Sequence, residues 1–428
     1  MPKSPVPESH TKGGIPLKLF VGIDVSSKDL KVCMMNGEGD TLQSFTVDNN
    51  LEGASHLRDQ IVAVADKLPS KEIHIGLEAT SVYSWHLAMF LHEDEALQKR
   101  KAKVFTINPK LITKFKEAYV DLDKNDHIDA WLIADRLRFG RLPMTMVMQE
   151  QYIALQRLTR MRFHLVHNLT REKQYFLTNL FYKCSAFTSE VDSSVFGHAI
   201  TELLLEKYSL DEIVAMDVAD LADYLKDHGK NRFPDPERVA KCIQKAARAS
   251  YRLSKVVEDS IDLILGTSIQ SIRSIQAQIK ELDQAIERIL SGIPNTLQTI
   301  PGIGPVYAAG ILSEIGDITR FDDQAALAKY AGLVWRKHQS GAFDAEDTKR
   351  IKSGNRFLRY YLVEAANSVK NRDPEFGDYY RKKYKEVPKH QHKRALVLTA
   401  RKLVRLVDVL LRNDQIYTPR RKVNAAKD

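Results

Sequence analysis

Residues 19–24 read Leu-Phe-Val-Gly-Ile-Asp and residues 73–78 read Ile-His-Ile-Gly-Leu-Glu. Each stretch is a short apolar run that ends on a carboxylate, as expected of a buried strand that carries an acidic side chain to its exit. A lone acid at a strand end is more often a turn former. The repeated pattern makes Asp24 and Glu78 candidates for one shared site.

The surrounding sequence alternates between strand-like and helix-like patterns over residues 17–145. Strands are predicted at 17–25, 29–35, 42–47, 72–77 and 102–107, and helices at 51–68, 82–92 and 126–139. Three consecutive strands, then helix, strand, helix, strand and helix, is the order of the ribonuclease H-like α/β fold, in which a meander is extended by right-handed crossovers. The first and fourth strands are neighbours in that fold, so Asp24 and Glu78 would come together.

Asp126 and Asp129 supply two further carboxylates. They lie three residues apart in Lys-Asn-Asp-His-Ile-Asp-Ala (124–130), which puts both on one face of a helix. Taken alone, the pair is more simply an N-cap and a first-turn acid. If both join Asp24 and Glu78, the four carboxylates repel one another and need a counter-charge. A pair of Mg²⁺ or Mn²⁺ ions would supply it, because these cations take oxygen ligands and stabilise the attacking and leaving oxygens of a phosphoryl displacement.

Residues 151–290 are predicted to form a helical coiled-coil arm. Apolar side chains at alternating steps of three and four form an a/d seam, so the seam helix should pack along a partner. That partner is either residues 151–183 of the same chain or a second protomer. Residues 185–250 form a less regular helical insert with a loop at 229–236. The seam consists of Ile272, Ile275, Ile279, Leu282, Ile286 and Ile289.

The last predicted domain, residues 296–417, is mainly helical and begins with a glycine-containing turn. Leu297 to Ala308 fits a helix-hairpin-helix in which Gly302 and Gly304 let the backbone approach a phosphate closely. The alternative is a tight turn between helices with no DNA contact. Four arginines of the final helix form one stripe, which is either a solvated face or a phosphate contact: Arg394, Arg401, Arg405 and Arg412.

Ser340 precedes Gly341 in a polar loop, just after Arg336, Lys337 and His338. The two cations are suited to holding a phosphate and stabilising the charge that develops on it. His338 is a candidate base whose orientation the sequence leaves open. A serine in such a loop is more often the cap of the following turn. The residues alone therefore do not select Ser340 as a nucleophile.

Charge is unevenly distributed along the 428 residues. Residues 331–428 carry 24 Lys and Arg against 11 Asp and Glu, whereas the first 330 carry 40 against 44. A basic C-terminal quarter fits a binder of polyanions, although it also serves solubility. The three cysteines have neither a disulfide nor a zinc spacing. With no apolar run long enough for a membrane helix, we expect a cytoplasmic protein with no membrane partner. Residues 1–16 and the basic tail 418–428 are expected to be disordered.

Three segments together carry a resemblance to a known family. Gly22-Ile23-Asp24-Val25-Ser26, Leu77-Glu78-Ala79-Thr80 and Asp126-His127-Ile128-Asp129-Ala130 resemble the motifs of the DEDD insertion-sequence transposases, the Piv-type DNA invertases and RNA-guided bridge recombinases. That family joins a RuvC-like domain, similar to Holliday-junction resolvases, to a second transposase domain. The resemblance covers most of the chain and is weakest over residues 185–250.

The resemblance implies a chemistry and a set of site residues. Asp24, Glu78, Asp126 and Asp129 would bind the metal, and Ser340 would attack DNA to form a 5′-phosphoserine link. The family's Lys/Arg-rich Gly-Asn segment and arginine-bearing helices are matched by residues implied in nucleic-acid binding: Lys352, Arg356, Arg359, Arg401 and Arg405, besides Arg336, Lys337, Gly302 and Gly304. Trp335 departs from the pattern, where a proline is expected.

The implied partners are double-stranded donor and target DNA, a structured guide RNA and further copies of the chain in a homo-oligomer. Because Ser340 and the acids come from opposite ends of the sequence, two domains must meet to form the active site, either within one protomer or between protomers. Two other functions stay open. One is a metal-dependent nuclease in which Ser340 is idle, and the other is a non-catalytic DNA-binding protein on a decayed nuclease fold.

Overall fold

The computed structural model describes residues 18–68, 72–78, 82–119, 126–140, 150–230, 232–335, 339–340, 343–344 and 353–419. For Asp126 and residues 206–207, 339–340 and 343–344 it describes the backbone alone. The predictions for residues 1–16 and for most of the tail, 420–428, lie outside these residues. The chain divides into two compact units, residues 1–149 and 150–428.

The first unit is built on a five-stranded sheet in the order β3-β2-β1-β4-β5. β1, β2 and β3 are antiparallel neighbours, while β4 and β5 run parallel to β1. This is the order and direction of strands predicted for a ribonuclease H-like fold. The strands are β1 (Leu19–Val25), β2 (Asp29–Met35), β3 (Thr41–Asp48), β4 (Ile73–Glu78) and β5 (Lys103–Ile107).

Helices cover both faces of this sheet, because the strands are apolar on both sides. Leu19, Val21 and Ile23 face a core shared with α1 and α2, and Phe20 lies on the opposite face against α5. Two short helices, α3 and α4, were not predicted from the sequence. The helices are α1 (Leu51–Lys67), α2 (Tyr83–Glu93), α3 (Glu95–Gln98), α4 (Pro109–Lys116) and α5 (Asp126–Phe139).

The described part of the second unit is almost entirely helical. Its helices are α6 (Glu150–Lys183), α7 (Phe187–Glu190), α8 (His198–Glu202), α9 (Leu210–Ala215), α10 (Val218–His228), α11 (Pro236–Ala249), α12 (Lys255–Leu290), α13 (Pro305–Ile315), α14 (Gln324–Ala331), α15 (Arg356–Arg372), α16 (Pro374–Lys385) and α17 (Gln391–Asn413). A two-stranded hairpin, β6 (Gln339–Ser340) and β7 (Phe343–Asp344), lies between α14 and α15.

The long helices α6 and α12 pack antiparallel, so the seam of α12 has a partner within the same chain. Ion pairs link the two helices from end to end, with Arg162 Nε 2.5 Å from Asp283 Oδ1 and Lys183 Nζ 2.5 Å from Asp262 Oδ1. Ile272 and Ile286 are buried, but Ile275, Ile279 and Leu282 between them are only half-buried. The supercoil of a true coiled coil stays a prediction.

Each end of this helix pair belongs to a different core. At one end, Phe176 and Ile269 pack into the insert formed by α7 to α11. At the other end, Leu155 and Ile286 pack into the C-terminal helices α13 to α17. Within the described residues, no helix is both long and apolar enough to cross a bilayer.

Candidate active site

The predicted acids Asp24 and Glu78 end two adjacent strands on the same face of the sheet. β1 and β4 are parallel, with Ile23 opposite Leu77, so the next residues, Asp24 and Glu78, leave the sheet side by side. Both lie on the face covered by α5, because side chains alternate along a strand. The sequence prediction that these two carboxylates come together is consistent with this register.

Gly22 explains how α5 brings a third acid to the same place. A Cβ on Gly22 would overlap the Ala130 carbonyl oxygen and the Ala134 backbone nitrogen. The missing side chain therefore lets the backbone of α5 lie directly on β1. Asp129, next to Ala130, is thereby held near the ends of β1 and β4. The glycine in the Gly22-Ile23-Asp24 motif thus has a packing role that the motif alone did not show.

The charges of two neighbouring acids act on Glu78. Burial raises the pKa of the Glu78 carboxyl, and the negative charges of Asp24 and Asp129 raise it further. This effect on Glu78 requires the three carboxylates to be close together in a partly dehydrated site. Asp126 is the first residue of α5, one turn before Asp129, and its side chain lies outside the described residues.

Lys116 is a member of this site that the sequence analysis missed. Its Nζ lies 2.9 Å from Asp129 Oδ1, and it comes from the end of α4, a helix that was not predicted. The ammonium group partly neutralises the acidic cluster, as a cation would. Lysines are too common in a chain of this composition for the sequence to have distinguished this one.

Clustered carboxylates are the ligands that Mg²⁺ and Mn²⁺ prefer, and Asp24, Glu78 and Asp129 supply such oxygens at one edge of the sheet. The donor chemistry therefore fits the predicted cation. Among the described side chains, however, no three His, Cys, Asp or Glu residues stand in a ready-made ligand geometry.

Ser340 belongs to the second unit, in the β6–β7 hairpin, where it pairs with Phe343. The turn that Gly341 would permit lies outside the described residues and stays a prediction. Arg336, Lys337, His338, Gly341 and Lys352 lie outside the described residues, as does the Ser340 side chain.

The segment that carries Ser340 is closed at its base by two interlocked glycines. Gly332 has φ +68° and Gly354 has φ +113°, both in the left-handed region. A Cβ on Gly354 would lie 2.6 Å from the Gly332 nitrogen, and one on Gly332 would overlap the Ser353 carbonyl oxygen. The chain therefore leaves and re-enters the helical core at nearly the same point.

The remaining arginines of the predicted nucleic-acid set are differently placed. Arg356 is exposed, with its guanidinium 4.7 Å from the centre of the Phe357 ring. Arg359 donates to the Ala331 carbonyl oxygen over 3.1 Å, at the base of the serine segment. On α17, Arg401 is half-buried and donates to Gln324 Oε1 over 2.6 Å, whereas Arg405 is exposed. Burial, and then the charge of Arg405, lowers the pKa of Arg401.

The two ends of the predicted arginine stripe are occupied by internal ion pairs. Arg394 Nη1 lies 3.0 Å from Glu386 Oε2, and Arg412 Nη2 lies 2.8 Å from Asp408 Oδ1. The middle of the stripe, Arg401 and Arg405, is thus its better candidate for phosphate contact.

The two glycines of the predicted helix-hairpin-helix differ in surroundings. Gly302 has φ +103°, and a Cβ there would meet Val369 N of α15 at 2.9 Å. This close contact favours the alternative in which Gly302 serves a tight turn between packed helices and does not contact DNA. Gly304, by contrast, has open space where a side chain would be, so backbone approach to a phosphate stays a prediction for it. The helix before the hairpin is only a 3₁₀ turn, Leu297–Thr299.

Comparisons with known proteins match the segment that carries the acids and the segment that carries Ser340. Residues 21–181 match the DEDD transposase family of the IS110 type, and residues 295–381 match a family described as "Transposase IS116/IS110/IS902 family". The uncharacterized 44.8 kDa protein of insertion element IS116 from Streptomyces clavuligerus is 24% identical over 94% of this chain and 96% of its own. The pilin gene-inverting protein of Moraxella lacunata is 23% identical over 94% of this chain and 98% of its own.

A solved structure of T. thermophilus RuvC in complex with a Holliday junction substrate matches 30% of this chain and 98% of its own, with 14% identity and a TM-score of 0.23. That score is too low to carry weight, and the fold of the first unit rests on its strand order. The two family matches cover both the acidic cluster and the hairpin base. The chain therefore carries the DEDD and IS116/IS110 transposase domains, and it is an enzyme of DNA transposition or recombination.

Proposed function

We propose that this chain cuts and rejoins DNA with the Ser340 hydroxyl as nucleophile and a carboxylate-bound divalent cation as electrostatic partner. The observation that carries the proposal is the meeting of three carboxylates: parallel β1 and β4 end side by side on Asp24 and Glu78, and α5, packed on Gly22, brings Asp129 to them. Two of these carboxylates stand at neighbouring strand ends and the third on the helix that packs over them, the concentration of oxygen ligands that a divalent cation requires.

In the proposed reaction, the Ser340 oxygen attacks a DNA phosphorus. A bond forms between Oγ and phosphorus, and the bond from phosphorus to the 3′-oxygen of the neighbouring nucleotide breaks. The serine proton passes to a base, for which His338 is the candidate, and the leaving 3′-oxygen takes up a proton. The link is a 5′-phosphoserine, and a 3′-hydroxyl from another strand reverses the step to rejoin DNA.

When bound, Mg²⁺ or Mn²⁺ would stabilise the negative charge that develops on the phosphate. Asp24, Glu78, Asp126 and Asp129 would hold the cation. The ion pair with Lys116 would partly offset the negative charge of Asp129. The residues proposed to bind the DNA backbone are Arg356, Arg359, Arg401 and Arg405, together with Arg336, Lys337 and Lys352 of the segment that carries Ser340 in the sequence.

RNA guidance and a homo-oligomer are part of the proposal, and both rest on the family. The basic C-terminal quarter supports binding of a polyanion but does not distinguish RNA from DNA. A comparison of DNA binding with and without RNA transcribed from the segments beside the reading frame tests this part separately.

The deciding experiment compares Ser340→Ala with Asp24→Asn in the full chain. The probe is duplex DNA carrying the joined ends of the element that encodes this chain, with Mg²⁺ and the flanking RNA. We expect Ser340→Ala to abolish the covalent protein–DNA adduct seen on denaturing gels. Asp24→Asn should slow adduct formation at least about a hundredfold, as loss of a major electrostatic contributor does.

The result also separates the alternative functions. Cutting by Ser340→Ala at the wild-type rate, with no adduct in either protein, would identify a metal-dependent nuclease. DNA rearrangement that survives Asp24→Asn unchanged would remove the role of the metal site.

A further inference from the structure

Glu314 is a fully buried acid that the proposed chemistry does not use. It lies on α13 and its side chain has no exposed surface. Arg160 of α6 binds it with two hydrogen bonds, Nε to Oε1 over 2.7 Å and Nη2 to Oε2 over 2.9 Å. A buried carboxylate is costly unless paired in this way, so its presence calls for a physical reason.

The second partner of Glu314 is Asn355, which lies where the serine segment returns to the core. Asn355 Nδ2 donates to Glu314 Oε2 over 2.7 Å and to the Tyr330 hydroxyl over 3.1 Å. Its backbone nitrogen donates to the Tyr330 carbonyl oxygen over 2.6 Å. Asn355 is thus tied to both the buried acid and the chain that leads into the serine segment.

The same side chain also starts the next helix. Asn355 Oδ1 accepts hydrogen bonds from the backbone nitrogens of Phe357, over 2.9 Å, and Leu358, over 3.1 Å, which makes it the N-cap of α15. All the polar groups of its amide are used. Because one amide fixes the helix start, the buried acid and the facing chain, the position of residues 353–355 is strongly determined.

We propose that Glu314 and Asn355 are positioning residues for Ser340. Together with the interlocked Gly332 and Gly354, they fix both ends of the segment that carries Ser340, which limits where the serine can lie. Arg160 extends this support to α6, where its guanidinium also lies 4.6 Å from the Phe357 ring centre. The inference rests on the proposed role of Ser340, since a preorganised loop matters most if it holds a reacting group.

Asn355→Ser breaks the link with little other change. Serine is as good an N-cap as asparagine, but its short side chain cannot reach Glu314. With the DNA probe above at saturating concentration, we expect covalent adduct formation to slow by about 10- to 100-fold, the size of effect produced by a small misplacement of a reacting group. The Kd for DNA should stay unchanged.

A reciprocal exchange tests the link itself. In the double variant Glu314→Gln with Asn355→Asp, the glutamine amide can donate to the new carboxylate, which keeps capping α15, although that amide no longer accepts from Arg160 Nη2. We expect the double variant to react faster than either single variant. Ser313→Ala is the matched control, because Ser313 is buried on the same helix and bonds Thr159 over 3.3 Å, away from residues 353–355. It should leave the rate unchanged.

Deuterium exchange gives a second measurement that needs no DNA. Asn355→Ser should speed exchange of the amides at 339–344 and leave those in the middle of α6 and α12 unchanged. Unchanged exchange in the hairpin, or an adduct rate equal to wild type in folded Asn355→Ser, would overturn the positioning role, as would equal slowing by Ser313→Ala. If Ser340→Ala still forms the adduct, the proposed nucleophile fails instead, and the exchange measurement still decides whether the link orders the hairpin.

Discussion

The acidic cluster and the serine hairpin are held in place by different kinds of force. The acids stand at the ends of central strands, and van der Waals packing of α5 on β1 at Gly22 brings them together. Ser340 stands in a two-residue strand between helices, and the support at its base is a polar network that ends in the buried pair Arg160–Glu314. Packing of a hydrophobic core holds the acids, whereas hydrogen bonds at the edge of a core hold the base of the segment that carries Ser340.

This difference has a physical consequence. Packing of a sheet and a helix leaves few alternatives, because any shift creates a void or an overlap. A hydrogen-bonded loop base is specific but can open locally at lower free energy. On the proposed function, packing of the core would hold the metal site, and hydrogen bonds at the base of its segment would hold the nucleophile.

The largest expected effect is on the packed side of the comparison. Gly22→Val places a side chain where the Ala130 and Ala134 backbone lies, so α5 has to move away from β1. We expect a loss of about 3 kcal/mol in the free energy of unfolding and loss of adduct formation, since Asp129 moves with the helix. Thermal unfolding followed by Trp85 and Trp131 in a Trp335→Phe background reports on this unit.

Gly37→Ala is the control for Gly22→Val. No atom lies within 4 Å of a Cβ at Gly37, in the turn after β2, so stability should change by less than about 0.5 kcal/mol. A folded, active Gly22→Val protein would show that close packing on β1 is not what assembles the acids.

The same difference decides what the sequence could predict. In the first unit, strand-like and helix-like patterns alternate along the sequence, and acids end two of the strands. The strand order and the approach of Asp24 to Glu78 could therefore be predicted from the sequence. Lys116 was missed because its helix is short and its ion pair is set by tertiary structure. The Glu314–Asn355 bond joins residues far apart in sequence, and no local pattern marks it. Ser340 came from family resemblance alone.

A second prediction concerns how charge at the acidic cluster responds to pH. Burial and two neighbouring carboxylates raise the pKa of Glu78 above its ordinary value in the unfolded chain. The folded state therefore binds the Glu78 proton more tightly than the unfolded chain does. The stability that protonated Glu78 contributes is fully present below the ordinary glutamate pKa, and it is lost as pH rises through the raised pKa of the folded state. Without added cation, the melting temperature of the first unit should fall over that range.

Millimolar Mg²⁺ or Mn²⁺ should reverse this loss near neutral pH and have little effect in acid, because the cation binds the ionised cluster. Glu78→Gln is the control and should flatten the pH dependence. A melting temperature that rises with pH over this range, or the same cation effect in Glu78→Gln, would contradict a shared carboxylate site.

The smallest expected effect tests which part of the arginine stripe contacts nucleic acid. Arg405 is exposed in the middle of the stripe, whereas Arg394 is engaged with Glu386 over 3.0 Å. If Arg405 contacts one phosphate, Arg405→Ala should weaken DNA binding about equally for all sequences and reduce the slope of log K against log salt by about 1. Arg394→Ala should change the slope less, because that guanidinium is already neutralised within the protein. Equal slopes for both variants and the wild type would assign the stripe to the solvated face and leave the phosphate contacts to the residues beside the serine.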